Sequence, residues 1–171
     1  GVAWLLDLYG YEVYTLAGGY KAFRNWVLQQ FEKEYELMVL GGYTGSGKTE
    51  ILDQLSHKGF PVVALEALAH HRGSAFGGIE QPAQPTQEMF ENKLALTLDA
   101  LMGKAAWIED ESQRIGVLNI PHPLWHTMRK SPVYFIDLPF EERLNYIIQT
   151  YGSLNREKLM EAVVRIEKRL G

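Results

Sequence analysis

The chain has 171 residues, with 17 Lys+Arg against 21 Asp+Glu and a formal net charge of −4. Hydrophobic residues make up 46%, which excludes a disordered segment, and the length suits one α/β domain plus an appendage. The absence of Cys excludes a disulfide framework, a thiolate metal site and a cysteine nucleophile, and the acidic balance disfavours a surface covered in nucleic-acid-binding charge, though not a local basic patch.

Val2–Tyr9 reads as a short helix ending at Gly10. Glu12–Leu16 alternates enough to be a strand, and Ala17-Gly18-Gly19 is a turn. Tyr20, Phe23, Val27 and Phe31 fall at spacings of three and four, one apolar face of a helix, with Trp26 beside them. The charged stretch Glu32–Glu36 is the best linker candidate, dividing residues 1–35 from residues 36–171. Glu36–Gly41 is apolar and strand-like, and Glu50–Leu55 is helical, burying Ile51, Leu52 and Leu55 before Gly59. Pro61–Leu65 reads as a buried strand, and Arg72–Gln84 as loop. A helix begins near Thr86, with Phe90, Leu94, Leu98 and Leu101 on its core face, and ends at Gly103. Ala105–Ile108 is a short strand and Pro121–Lys130 a helix. Val133–Leu138 is a further strand, followed by helices marked by Phe140, Leu144, Ile147, Ile148 and Tyr151, then by Leu159, Val163, Ile166 and Leu170. Strands alternating with helices imply a mostly parallel sheet with helices on both faces.

Gly42–Thr49 reads GYTGSGKT and fits the phosphate-loop pattern at every fixed position. The strand before it and the helix after it are the context that pattern needs. Gly42, Gly45 and Gly47 let backbone approach a phosphate, and the N–H groups of Tyr43, Thr44, Gly45 and Ser46 lie in the same turn. The helix start adds partial positive charge. Lys48 would reach terminal phosphate oxygens, and the Thr49 hydroxyl would hold Mg²⁺. A phosphate loop also calls for a carboxylate at the end of a second strand. Glu109 stands where the metal-side acid belongs, and Asp110 or Glu111 would orient a nucleophile.

Arg72 follows a strand end, where open α/β sheets bind ligands, and reads equally as a phosphate contact or a surface arginine. His70 and His71 are adjacent and point apart, so they read as loop histidines. His122 and His126 have zinc-compatible spacing, but nothing nearby completes a ligand set and they read as surface residues. Trp4, Trp26, Trp107 and Trp125 read as core.

Together these pieces resemble the tRNA 2-selenouridine synthase family. The resemblance rests on GGYTGSGKTEIL (Gly41–Leu52), LEALAHHRGSAFGG (Leu65–Gly78) and Pro85-Thr86-Gln87 with Phe90-Glu91-Asn92. It continues through IEDESQRIG (Ile108–Gly116) and PFEERL (Pro139–Leu144), so it covers nearly the whole chain. Residues 1–31, with LYGYEVYTLAGGYKAFRNW (Leu8–Trp26), resemble the closing strand and helix of a rhodanese-like domain.

The resemblance implies an enzyme acting on 2-thiouridine at the wobble position of tRNA. Sulfur is replaced by selenium from selenophosphate, through an intermediate geranylated from geranyl diphosphate. For such a reaction the residues expected to be catalytic are Lys48, Arg72 and Asp110, with Mg²⁺ near Thr49 and Glu109. The family's reactive cysteine belongs to the rhodanese-like part, and this chain has none, so it would lie in an upstream domain. The family pattern leads us to expect an acid two residues before Glu66, where this chain has Ala64.

From the residues alone, the loop suits ATP, GTP or geranyl diphosphate equally. Two other classes stay open: a small-molecule or nucleoside kinase, and a non-catalytic nucleotide-binding regulatory module. Single arginines at Arg114, Arg129 and Arg143, rather than a cluster, weigh against the kinase. No apolar run approaches the roughly 20 residues needed to span a bilayer, and no signal peptide is visible. A cytoplasmic protein, cut from something longer on its N-terminal side, is the expectation.

Overall fold

The computed structural model describes residues 1–74, 76–152 and 154–170, with the backbone alone at residues 165, 166 and 168–170. Four strands form a parallel sheet: β1 (Leu37–Gly42), β2 (Val62–Val63), β3 (Ala106–Glu109) and β6 (Val133–Ile136). Their order is β2-β3-β1-β6. Leu37 pairs with Ala106 and Val39 with Ile108, while Gly42 at the end of β1 pairs with Ile136. Because every pair is parallel, all four strands end on the same side of the sheet. Ligands of open α/β sheets bind on that side.

Side-chain alternation along the strands divides the sheet into two faces. Leu37, Val39, Val63, Ala106 and Ile108 point into one core cluster. Helices α2 (Gly19–Phe31), α4 (Leu65–Ala69), α5 (Gln87–Asp99) and α6 (His122–Lys130) also bury residues there. Helix α3 (Lys48–His57) contacts β1, β2 and β3. Its buried Leu52 lies outside that cluster, so α3 covers the opposite face. The fold class expected from the alternating pattern is the one observed, a parallel sheet flanked by helices.

Helix α5 begins where the sequence places it. The Thr86 hydroxyl caps it, accepting the Met89 N–H at 3.2 Å. Phe90, Leu94 and Leu98 are buried, each stabilising the fold by about 1.5–3 kcal/mol through loss of apolar surface. Helix α2 lies against it through a polar network. Arg24 donates to Asn92 and is ion-paired to Glu91 at 2.5 Å, and Tyr20 donates to Glu88 at 2.6 Å.

Several sequence expectations are corrected. Glu12–Leu16 forms no strand, and neighbouring Tyr11, Tyr14 and Leu16 are exposed. An extended segment becomes a strand only where another strand's backbone can pair with it, and among the described residues none does so. The expected strand Pro61–Leu65 shrinks to Val62–Val63, because Leu65 opens helix α4. A two-stranded antiparallel hairpin, β4 (Arg114–Ile115) and β5 (Leu118–Asn119), was not expected. Trp4, on helix α1 (Val2–Leu8), is 67% exposed rather than core. Trp26 and Trp125 do pack on the core cluster, and Trp107 lies against Tyr134 of β6. Helices α7 (Phe140–Tyr151) and α8 (Arg156–Leu170) end the chain. On α8 the buried residue is Ala162, whereas Val163 is exposed. The expected core positions Ile166 and Leu170 lie outside the described side chains.

Candidate phosphate-binding site

A cavity of about 340 Å³ opens at the carboxyl ends of the strands. The phosphate loop, running from the end of β1 into α3, forms one wall. Glu66, Arg72, Gly73, Asp110 and Glu111 line another, and Tyr146, Thr150 and Tyr151 of α7 a third.

The loop's shape depends on its glycines. Gly45 has φ +83°, and a Cβ there would meet the Arg143 carbonyl oxygen at 2.6 Å and Ile147 at 2.8 Å. A side chain would thus suffer both backbone strain and collision with α7. The N–H groups of Gly45, Gly47, Lys48 and Thr49 donate to no acceptor among the described residues. They gather where α3 begins, the arrangement that attracts an anion. Ser46 Oγ is buried in the same loop without a partner. Lys48 Nζ donates to the Gly42 carbonyl at 2.8 Å, so its ammonium rests within the loop and can turn toward an incoming phosphate.

The acids are arranged in depth. Glu109 is 1% exposed and does not line the cavity. Its carboxylate accepts the backbone N–H of Glu66 at 2.8 Å. In this way the end of β3 anchors the first turn of α4. Glu66 is the acid that reaches the loop, accepting the Thr49 hydroxyl at 3.3 Å. Glu111 and Glu66 converge beside Gly73, where a Cβ would lie 2.6–2.7 Å from both carboxylates. Gly73 also has φ +64°. It therefore admits both acids to one pocket wall.

Burial and the Glu66 charge push Glu109 up to about 8. Burial, then the charges of Glu66 and Glu109, push Glu111 up to about 8. Burial also raises Glu66, opposed by its hydrogen bond with Glu111 and by Lys48. The hydrogen bond they share lowers Glu66 and raises Glu111, and Glu66 is the one that faces Thr49. A hydroxyl and a carboxylate oxygen side by side are hard-oxygen donors of the kind Mg²⁺ takes, with phosphate oxygens and water completing its shell. Among the described residues no three His, Cys, Asp or Glu side chains form a metal-holding cluster without such a ligand.

Asp110 lines the cavity, and its carboxylate is ion-paired to Arg129 of α6 at 2.5 Å. Arg72 lines the cavity on the far side and lies over the Tyr151 ring at 5.9 Å. Lys48, Thr49, Arg72 and Asp110 are thus brought to one cavity, while Glu109 stands one hydrogen bond behind it. Sequence reasoning missed Glu66 as a site residue, because it read Pro61–Leu65 as a strand with Glu66 only marking its end, whereas Leu65 opens helix α4. The short helix that turns it inward depends on the buried acid 43 residues later. His122 and His126 stack at 6.3 Å on the exposed side of α6, away from these groups.

Comparison with known proteins bears on these residues. A sequence model of the family described as the tRNA 2-selenouridine synthase AAA domain matches residues 35–171. A tRNA 2-selenouridine synthase of Bdellovibrio bacteriovorus is 45% identical over 157 residues, covering 87% of this chain and 40% of that protein. The Sulfurovum sp. protein of the same name is 37% identical over 190 residues, covering 98% of this chain and 50% of that one. That of Cupriavidus pinatubonensis is 40% identical over 154 residues, covering 86% and 41%. The chain spans about half or less of the length of these relatives. The match to the family model takes in the phosphate loop, the Glu66–Gly78 segment and the Glu109–Gly116 segment together, and the chain belongs to the tRNA 2-selenouridine synthase family.

Proposed function

We propose that this chain is the phosphate-loop part of a cytoplasmic tRNA-modifying transferase that converts wobble 2-thiouridine to 2-selenouridine through a geranylated intermediate. The observation that carries the reading is the cradle itself. Unpartnered loop N–H groups, an orphaned Ser46 hydroxyl and the Lys48 ammonium surround one cavity. A diphosphate or nucleotide, with Mg²⁺, fits that chemistry.

In this reading the loop N–H groups and Lys48 bind the terminal phosphate, Lys48 leaving the Gly42 carbonyl to do so. Fixed donors aimed at a departing diphosphate stabilise the charge that develops on it. Thr49 and Glu66 would hold the metal, which would supply Lewis-acid charge neutralisation there. Glu109 keeps α4 in place, so that Glu66 stays beside Thr49. Arg72 closes the far side of the phosphate group. Selenium transfer from selenophosphate falls to residues outside this chain, which has no Cys. Residues 1–35 are then the tail of a rhodanese-like domain and its linker, and 36–171 the phosphate-loop domain.

Calorimetry with geranyl diphosphate, ATP and GTP, with and without Mg²⁺, tests this. Lys48→Ala should weaken binding by about 1.5–3 kcal/mol, the range for a lost charge-assisted contact. Glu66→Gln should abolish the Mg²⁺ dependence. Equal affinity of wild type and Lys48→Ala for every ligand sinks the reading. Binding of ATP or GTP but not geranyl diphosphate turns it toward a kinase or a regulatory module.

A further inference from the structure

Beside the phosphate loop lies a group of aromatic side chains that the cavity does not use. Tyr43 of the loop, Phe135 of β6 and Phe140 of α7 are 56%, 52% and 63% exposed. Tyr43 and Phe135 meet edge to face at 5.2 Å. The Arg143 guanidinium lies over the Tyr43 ring at 4.8 Å and beside Phe140 at 5.8 Å. It is fixed there by hydrogen bonds to the Leu138 carbonyl at 3.2 Å and the Thr44 carbonyl at 3.4 Å. Three separate elements thus present three exposed rings, with the half-buried Arg143 guanidinium packed against two of them. The patch adjoins the cavity, since Gly42 and Thr44, on either side of Tyr43, both line it.

We propose that Tyr43, Phe135, Phe140 and Arg143 form a stacking platform for unpaired RNA bases flanking the nucleotide that enters the cavity. The inference rests on the tRNA reading above. A nucleotide that reaches a cavity must leave its stack, and its neighbours lose stacking partners. Exposed aromatic rings and arginine planes replace those partners in single-stranded RNA recognition. Charge supports stacking over phosphate binding. Asp137, Glu141 and Glu142 lie within a few residues of the platform along the chain, and the Arg143 guanidinium is already bound to two carbonyls. The platform therefore contributes affinity with little salt dependence.

Binding of an RNA hairpin with an unpaired, uridine-centred loop, and of a blunt RNA duplex of equal length, is measured by fluorescence anisotropy across a salt series. Phe140→Ala and Phe135→Ala should each weaken hairpin binding about five- to 150-fold, as lost base–aromatic stacking does. The slope of log affinity against log salt should stay unchanged, because no phosphate contact is removed. Duplex binding should not change, and Phe140→Trp should restore the hairpin. Thermal melts of the variants establish that they fold. If the wild-type chain binds the hairpin and both alanine variants bind it equally well, the platform is refuted and the tRNA reading stands. If the wild-type chain binds no hairpin, both fall. Equal losses for hairpin and duplex overturn the platform. So does wild-type self-association, seen by sedimentation, that the alanine variants abolish, since the patch is then an interface between copies.

Discussion

At the residue scale, the three glutamates behind the phosphate loop make the protein sensitive to pH. Glu109 and Glu111 both stand near 8 in the folded chain, against an ordinary value of 4.5, chiefly through burial. The folded state therefore binds more protons than the unfolded state between about pH 4.5 and pH 8, and stability falls as pH rises through that window. The ligand-free protein should melt at a higher temperature at pH 6 than at pH 8.5. Glu111→Gln should flatten that dependence, because an amide keeps the shape and cannot ionise. Thermal melts between pH 5 and pH 9 check this, and a melting temperature that rises with pH contradicts it. A bound cation would stabilise the ionised acids, so saturating ligand with Mg²⁺ should reduce the slope.

At the scale of elements, two glutamine side chains act as backbone for the small hairpin. Gln84 donates to the Ala69 and Ile115 carbonyls at 3.0 and 3.1 Å and accepts the Val117 N–H at 2.9 Å. Gln87 donates to the Asn119 carbonyl and accepts the Asn119 N–H, both at 2.8 Å. Two-residue strands cannot stand alone, and these amides fasten the hairpin to α4 and α5. Ile115 and Leu118, both buried, then cover the core. Gln84→Ala should cost about 2–3 kcal/mol, since it leaves three backbone groups to find new partners. Urea denaturation reads the loss, and a change below about 0.5 kcal/mol would show that water replaces the amide.

At the scale of the whole molecule, the first 35 residues divide in two. Helix α1 buries nothing, and Trp4, Leu8, Tyr9 and Tyr14 are more than 60% exposed. Helix α2, by contrast, places Val27 and Phe31 in the core, at 0% and 2% exposure. Deleting residues 1–16 should leave the urea midpoint nearly unchanged. Deleting residues 1–34 should lower it sharply or cause aggregation, because it uncovers α5. Equal midpoints for the two truncations would mean that α2 only rests on the surface.

The phosphate loop, the helix face of Phe90, Leu94 and Leu98, and the parallel-sheet class were legible in the sequence because they are local. A loop motif, a 3.6-residue period and an alternation of elements each lie within a short window. The cap at Thr86 belongs with them, since its acceptor and donor are three residues apart. Three features were decided only by tertiary structure. Glu12–Leu16 has a strand's pattern, but a strand exists through its neighbour, and among the described residues no strand pairs with it. Glu66 reaches Thr49 because Glu109, far along the chain, holds the first turn of α4. Tyr43 and Phe135 meet because β1 and β6 are sheet neighbours while 90 residues lie between their ends. Local propensity is a property of consecutive residues, whereas the side chains that share a cavity or a surface are chosen by how strands are ordered in the sheet.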